Sequence, residues 1–102
     1  MDSVTTQEFI QLLENRAITV LDIRDKGAYR EGHLESSLSM PTTSLPNRVR
    51  ELDKETTYYV LSHSGRRSET ITTFLNQQGF AAVHVIGGMK ALKKATLLKK
   101  AV

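Results

Sequence analysis

Cysteine is absent from this chain of 102 residues. The protein therefore cannot form disulfides, bind a metal through thiolates or use a thiol nucleophile. Long hydrophobic runs are also missing, since no apolar segment approaches the roughly 18 residues that span a bilayer. The first six residues lack the basic and apolar regions of a secretion signal. We therefore predict a cytoplasmic protein that does not interact with a membrane.

Acidic residues are outnumbered by basic ones, 11 against 14, which gives a net charge of +3. Much of the excess lies near the C-terminus, at Lys90, Lys93, Lys94, Lys99 and Lys100. This pattern is typical of a solvated helix whose lysines complement its own dipole. The alternative is an interaction module that docks an acidic protein partner. A basic stripe with interleaved aromatic residues is missing, so we predict no nucleic-acid partner.

The remaining composition, 39% hydrophobic and 25% charged, fits one domain over residues 1–102. A capping box from Thr5 to Glu8 predicts a first helix that ends near Asn15. Apolar runs predict strands over residues 18–23, 38–40, 57–61 and 82–86. Helical spacing predicts further helices over residues 25–31 and 45–52, from the segment after residue 68 to Gly79, and over about 89–98.

Strands thus alternate with helices along the chain. This order predicts an α/β fold with a roughly five-stranded, mainly parallel sheet and helices on both faces. Ligands of such sheets bind beyond the carboxyl ends of the strands. The strand over residues 57–61 is the most apolar and is expected to be central. It runs directly into a polar loop, residues 62–68, which therefore marks the candidate site.

The loop consists of Ser62, His63, Ser64, Gly65, Arg66, Arg67 and Ser68. Successive backbone N–H groups before a helix can converge on an anion, and the helix dipole adds positive charge. The two arginines supply planar, permanently charged donors. The glycine permits a backbone conformation that other residues rarely adopt. We predict an anion-binding loop; the alternative is an ordinary strand-to-helix connection with solvated arginines.

This loop resembles the active loop of the rhodanese family, Cys-x-x-Gly-x-Arg-Ser. The similarity continues over nearly the whole chain in the same order. Upstream, it includes Leu21-Asp22-Ile23-Arg24, Tyr29 and Gly32-His33-Leu34. Downstream, it includes Gly79-Phe80, Val83 and Gly87-Gly88-Met89. The chain is identified on these motifs as a member of that family.

In rhodaneses, the first loop position is a cysteine that takes sulfur from thiosulfate or a similar donor and passes it on from a persulfide. The resemblance aligns Ser62 with this cysteine, and Gly65, Arg67 and Ser68 with the other motif residues. A hydroxyl ionises far above neutral pH and cannot hold a stable persulfide. We therefore expect a non-catalytic domain whose ligand is a small sulfur-containing or sulfate-like anion or a protein partner. The alternative is the inactivated form of a working sulfurtransferase.

Two other chemistries are less compatible with the sequence. Phosphatase loops of related folds place five residues between cysteine and arginine, whereas four separate Ser62 from Arg67. Serine hydrolysis needs a positioned base, but His63 is adjacent to Ser62, and His33 and His84 have no evident acidic partner. No Gly-x-Ser-x-Gly elbow is present. The three histidines lack metal-ligand spacing, and we predict neither a metal nor a cofactor.

Structural support for the site is expected from Asp22, Arg24 and His33. Asp22 interrupts an apolar strand, and a buried carboxylate needs a partner, for which Arg24 is the candidate. His33 is expected to be a structural histidine. Leu92 stands where many family members have tryptophan, so the packing of the final helix is open. Because an imidazole gains a proton as the pH falls from 8 to 5.5, His63 is expected to strengthen anion binding over that range.

Overall fold

The computed structural model describes the backbone of residues 3–101 and the side chains of residues 3–96. The strands are β1 (Ser3–Val4), β2 (Thr19–Asp22), β3 (Leu38–Ser39), β4 (Thr57–Leu61) and β5 (Ala81–Val85). The helices are α1 (Thr6–Asn15), α2 (Lys26–Glu31), α3 (Leu45–Arg48), α4 (Arg66–Gln77) and α5 (Gly88–Ala101). Short 3-10 turns, Thr42–Ser44 and Val49–Glu51, flank α3.

The five strands within residues 3–101 form one sheet in the order β1-β5-β4-β2-β3. Every neighbouring pair is parallel. The predicted α/β class, the parallel sheet and the central position of β4 are therefore confirmed. The carboxyl end of β4, where Ser62 follows Leu61, lies between the ends of β2 and β5.

Helices cover both faces of this sheet. Neighbouring residues of a strand point to opposite faces, so successive residues of β4 pack against different helices. In β4, Val60 packs with Leu75 of α4 and Leu45 of α3. The next residue, Leu61, packs on the other face with residues of α1 and α5, including Phe9. Buried apolar side chains thus fix β4 from above and below and hold the start of the following loop in place.

The element bounds differ most from the sequence prediction at three points, and other element ends shift by one to three residues. The two-residue strand β1 is an addition. The helix predicted over residues 45–52 is a single α-helical turn with 3-10 turns on either side. The final helix continues beyond the predicted residue 98. The capping box of α1 is confirmed, because Glu8 N–H donates to Thr5 Oγ1 over 3.1 Å and Thr5 N–H donates to Glu8 Oε1 over 2.8 Å.

Leu92 of α5 is buried against the sheet, 6% exposed, in the cluster that contains Phe9. Lys90, Lys93 and Lys94 are exposed, whereas the side chains of Lys99 and Lys100 lie outside the described residues. Among the described residues, none of the helices combines the length and apolar character that crossing a membrane requires.

Candidate anion-binding site

The loop after β4 turns sharply at Gly65, which precedes the first residue of α4. Gly65 has φ = +95°, in the left-handed region that disfavours a side chain. A Cβ at this position would also lie 2.8 Å from the backbone nitrogen of Gly87. Conformation and close packing therefore both require glycine here, and they set the direction in which the loop enters α4.

Backbone donors of the loop converge on the side chain of Ser62. Gly65 N–H donates to Ser62 Oγ over 3.0 Å, and Ser68 N–H does so over 3.4 Å. The Ser62 hydroxyl donates in turn to Ser68 Oγ over 3.0 Å. Ser62 is only 3% exposed. The turn is thus built to surround one electronegative atom on the side chain at position 62, and a neutral hydroxyl occupies it.

The carbonyl side of the loop is held by the N-terminus of α5. Met89 N–H donates to Ser62 O over 2.8 Å, and Lys90 N–H donates to His63 O over 2.9 Å. These bonds satisfy donors that a helix N-terminus leaves free. In a trans peptide the N–H points away from the carbonyl, so the N–H groups of His63 and Ser64 are turned away from α5.

A cavity of about 360 Å³ opens over the loop. Its lining comes from the loop and α4 on one side and from the segment after β2 on the other: Ser62, His63, Ser64, Arg66, Arg67, Ile23, Arg24, Asp25 and Ala28. The side chains of Arg66 and Arg67 are exposed. Neither forms a hydrogen bond or ion pair with the side chains and backbone described here, so both guanidinium groups are available to a ligand.

Asp22 and Arg24 form a buried ion pair at the end of β2. Arg24 Nη2 lies 2.8 Å from Asp22 Oδ2, and Arg24 Nε donates to Asp22 Oδ1 over 3.0 Å. The backbone N–H of Arg24 also donates to Asp22 Oδ1, over 3.1 Å. A further bond of 2.8 Å joins Arg24 Nη2 to Gly32 O. The pair ties β2 to the connection after α2 and shapes the wall of the cavity opposite the loop.

His33 does not line this cavity. Its Nδ1 lies 2.7 Å from the carbonyl oxygen of Tyr29, and its ring stacks on the Tyr29 ring at 3.8 Å between centroids. Tyr29 donates its hydroxyl to Ser37 O over 2.6 Å. His33 therefore belongs to a local arrangement that braces the connection between α2 and β3.

His84 is connected to the loop through Ser68, although no local pattern in the sequence links it with the loop. Its Nδ1 lies 2.8 Å from Ser68 Oγ, which in turn contacts Ser62 Oγ. Ser68 is fully buried, and His84 is 9% exposed. Burial lowers the pKa of His84, and the negative charge of Glu69 opposes this shift. The one signal in the sequence is a polar residue at an inward position of β5, where Ala82 also points to the core.

The fold and the loop define a parallel α/β domain with a turn of convergent backbone donors after its central strand. A model of the rhodanese-like domain family matches residues 5–95, and the chain belongs to that family.

No group of three or more histidine, aspartate and glutamate side chains in the described part of the chain is placed to hold a metal ion.

Named relatives are similar over most of the chain. The putative sulfurtransferase YtwF of Bacillus subtilis is 31% identical over 76% of this chain and 75% of its own length. The thiosulfate sulfurtransferase GlpE of Coxiella burnetii is 31% identical over 81% and 78%. The putative sulfur carrier protein YrkF of Bacillus subtilis is 29% identical, and the match spans only 48% of that protein.

Solved structures show the same fold. A rhodanese-like domain protein from Staphylococcus aureus superposes with a TM-score of 0.84 at 29% identity, covering 90% of this chain and 91% of that one. A rhodanese-related protein from Thermoplasma volcanium has a TM-score of 0.86 at 26% identity, and 93% of each chain is covered.

Proposed function

We propose that this rhodanese-like domain binds a small sulfur-containing or sulfate-like anion at the loop of residues 62–68 and does not transfer sulfur. The observation that carries this proposal is that the guanidinium groups of Arg66 and Arg67 have no partner among the described residues. Both line the cavity whose floor is the turn at Ser62. Arginine recognises tetrahedral oxyanions through two parallel hydrogen bonds. The anion would lie above Ser62, because the Ser62 oxygen already accepts the N–H groups of Gly65 and Ser68.

The lack of sulfur transfer follows from the chemistry of position 62. Sulfur exchange proceeds by attack of a thiolate on a sulfur atom, and a buried serine hydroxyl in this turn cannot replace the thiolate. The thiosulfate sulfurtransferase named above is a relative of this chain, which makes thiosulfate a suitable probe.

Isothermal titration calorimetry with thiosulfate and with sulfate at pH 7.5 tests the proposal. Arg66→Ala and Arg67→Ala should each weaken binding, and the double variant should abolish it. Arg16→Ala is a matched control, since Arg16 lies beside the amino ends of β2 and β4, at the opposite end of the sheet. Equal losses in the control and the double variant would point to a general charge effect and would contradict a site at the loop.

A second candidate is the inactivated form of a working sulfurtransferase, and the intact donor set around position 62 favours it. Those donors suit a thiolate, which is larger and more negative than a hydroxyl. Ser62→Cys should then produce thiocyanate from thiosulfate and cyanide, and mass spectrometry should find an extra sulfur atom on the protein. A folded Ser62→Cys variant that binds thiosulfate without turnover would support the non-catalytic domain.

A further inference from the structure

A chain of hydrogen bonds leads from Ser62 to a second cavity on the α4 side of the sheet. Ser62 Oγ lies 3.0 Å from Ser68 Oγ, and Ser68 Oγ lies 2.8 Å from His84 Nδ1. The second cavity, of about 390 Å³, is lined by His84 and also by Ser3, Glu69, Thr72, Thr73 and Ile86. The imidazole thus connects the floor of the anion site with a separate polar cavity.

The Ser68 hydroxyl is the central member of this series of hydrogen bonds, and it has only one proton to donate. Three atoms lie within hydrogen-bonding distance of its oxygen: Ser62 Oγ, His84 Nδ1 and, at 3.1 Å, Gly65 O. When Nδ1 of His84 carries no proton, it accepts the proton of Ser68. When Nδ1 is protonated, it donates to Ser68 Oγ, and the Ser68 hydroxyl is free to donate toward Ser62 or Gly65. The state of one nitrogen therefore sets the direction of the Ser68 hydroxyl.

We propose that His84 is a positioning residue of the anion site, which acts through Ser68 and couples binding at the Ser62 loop to protonation at the second cavity. The tests that use thiosulfate rest on the proposed function, whereas the test that uses a cysteine at position 62 does not. His84 does not touch the bound anion. Its proton adds positive charge behind the loop and turns the Ser68 hydroxyl toward the loop floor.

The direction of the coupling follows from charge. An anion in the loop favours the protonated imidazole, so anion affinity should rise as the pH falls through the His84 titration. The charged group that faces His84 from α4 is Glu69. The neighbours from β1 and β4, Ser3 and Val60, are uncharged. Since His63 in the loop is also an imidazole, its contribution has to be removed first.

The first test measures thiosulfate affinity from pH 8 to pH 5.5 in a His63→Asn background. With His84 present, affinity should rise toward low pH, and the rise should approach about fivefold, the lower end of the usual range for coupled sites, as His84 becomes protonated. His84→Asn keeps a short polar side chain that does not titrate. It should bind thiosulfate comparably at pH 8 and show no rise at low pH. An equal rise in both proteins would overturn the proposal.

The reciprocal effect can be measured without changing His84. Saturating thiosulfate should raise the His84 pKa, followed by NMR of the imidazole ring, by about 0.7, which corresponds to a fivefold coupling. An unchanged His84 titration with thiosulfate bound would also overturn the proposal. This readout remains available if His84→Asn does not fold.

The second test needs no bound anion. In Ser62→Cys the thiolate itself supplies the negative charge, and its absorbance near 240 nm reports ionisation. The apparent thiol pKa should be higher in the Ser62→Cys/His84→Asn double variant than in Ser62→Cys, because the imidazolium no longer supports the thiolate. Equal values would refute the coupling. If thiosulfate does not bind but the two thiol pKa values clearly differ, only the proposed function is refuted.

Discussion

A Cβ atom on Gly88 would lie 2.5 Å from the carbonyl oxygen of Ser62. Gly88 is the first residue of α5, with φ = +62°, and the next two N–H groups donate to the carbonyls of Ser62 and His63. The N-terminus of α5 thus sits directly against the peptide groups that form the loop. Gly87 and Gly88, at the start of α5, thus determine the shape of the loop from behind, without lining the cavity.

Gly88→Ala should therefore damage both stability and the loop. The strained φ alone costs about 1–3 kcal/mol, and the clash with Ser62 O can be relieved only by moving the loop. We expect a loss of at least this size in urea unfolding and weaker thiosulfate binding. Gly27→Ala is the control: Gly27 lies in α2, and outside its chain neighbours and the backbone of that helix no atom lies within 4 Å of an added Cβ. A Gly88→Ala variant as stable as the Gly27→Ala variant would contradict the packing described here.

The buried pair of Asp22 and Arg24 makes a second prediction. Asp22→Asn leaves the Arg24 guanidinium buried without its counter-ion, and breaking a buried pair typically costs about 3–5 kcal/mol. We expect a loss of that order in denaturant unfolding. The exposed pair Arg48–Glu51 provides the comparison, with side chains 37% and 53% exposed. Glu51→Gln should change stability little. A similar small effect for Asp22→Asn would mean that the pair is not needed to hold β2.

Several parts of the site follow from local sequence. The most apolar strand, β4, and the polar turn after it predict a loop at the carboxyl edge of the sheet. The role of Gly65 could be predicted because few other residues adopt a positive φ. The arginines are predicted as donors for an anion, and the structure places them beside the cavity. The pair of Asp22 with Arg24 followed from the cost of burying a lone carboxylate.

Other parts depend on tertiary contacts that leave no local pattern. The strand β1 has only two residues, too few for periodicity, and it is formed by pairing with β5. The helix predicted over residues 45–52 is only one turn long, flanked by 3-10 turns. His84 joins the site only because Ser68, sixteen residues earlier, lies between it and Ser62. An inward polar residue in a strand shows that a partner is needed, not which partner it is.

Stability should fall in mild acid because of His84. Burial lowers its pKa in the folded protein below the ordinary value of 6.5, so the unfolded chain binds the proton more readily. The folded state therefore loses stability as the pH falls below about 6.5, until the folded-state pKa is passed. The thermal midpoint should decline from pH 7.5 to pH 5.5, and by less in His84→Asn. His33→Asn is the control, since His33 is exposed. If the thermal midpoint declines less in His33→Asn than in His84→Asn, the loss of stability comes from His33 and the prediction for His84 is wrong.

Ser62→Cys should create an unusually acidic thiol. The N–H groups of Gly65 and Ser68 point at this side chain, the α4 N-terminus lies beside it, and Arg66 and Arg67 line the same cavity. Each of these favours the thiolate, so its pKa should lie well below the usual value of about 8.5. Absorbance near 240 nm against pH measures it.

Ser64→Cys serves as the matched control, because it places a thiol on the same loop at an exposed position toward which no hydrogen bond converges. Its pKa should stay closer to the ordinary value. If the two thiols titrate alike, the turn does not stabilise negative charge at position 62. The donors around Ser62 would then serve only to hold the loop in shape.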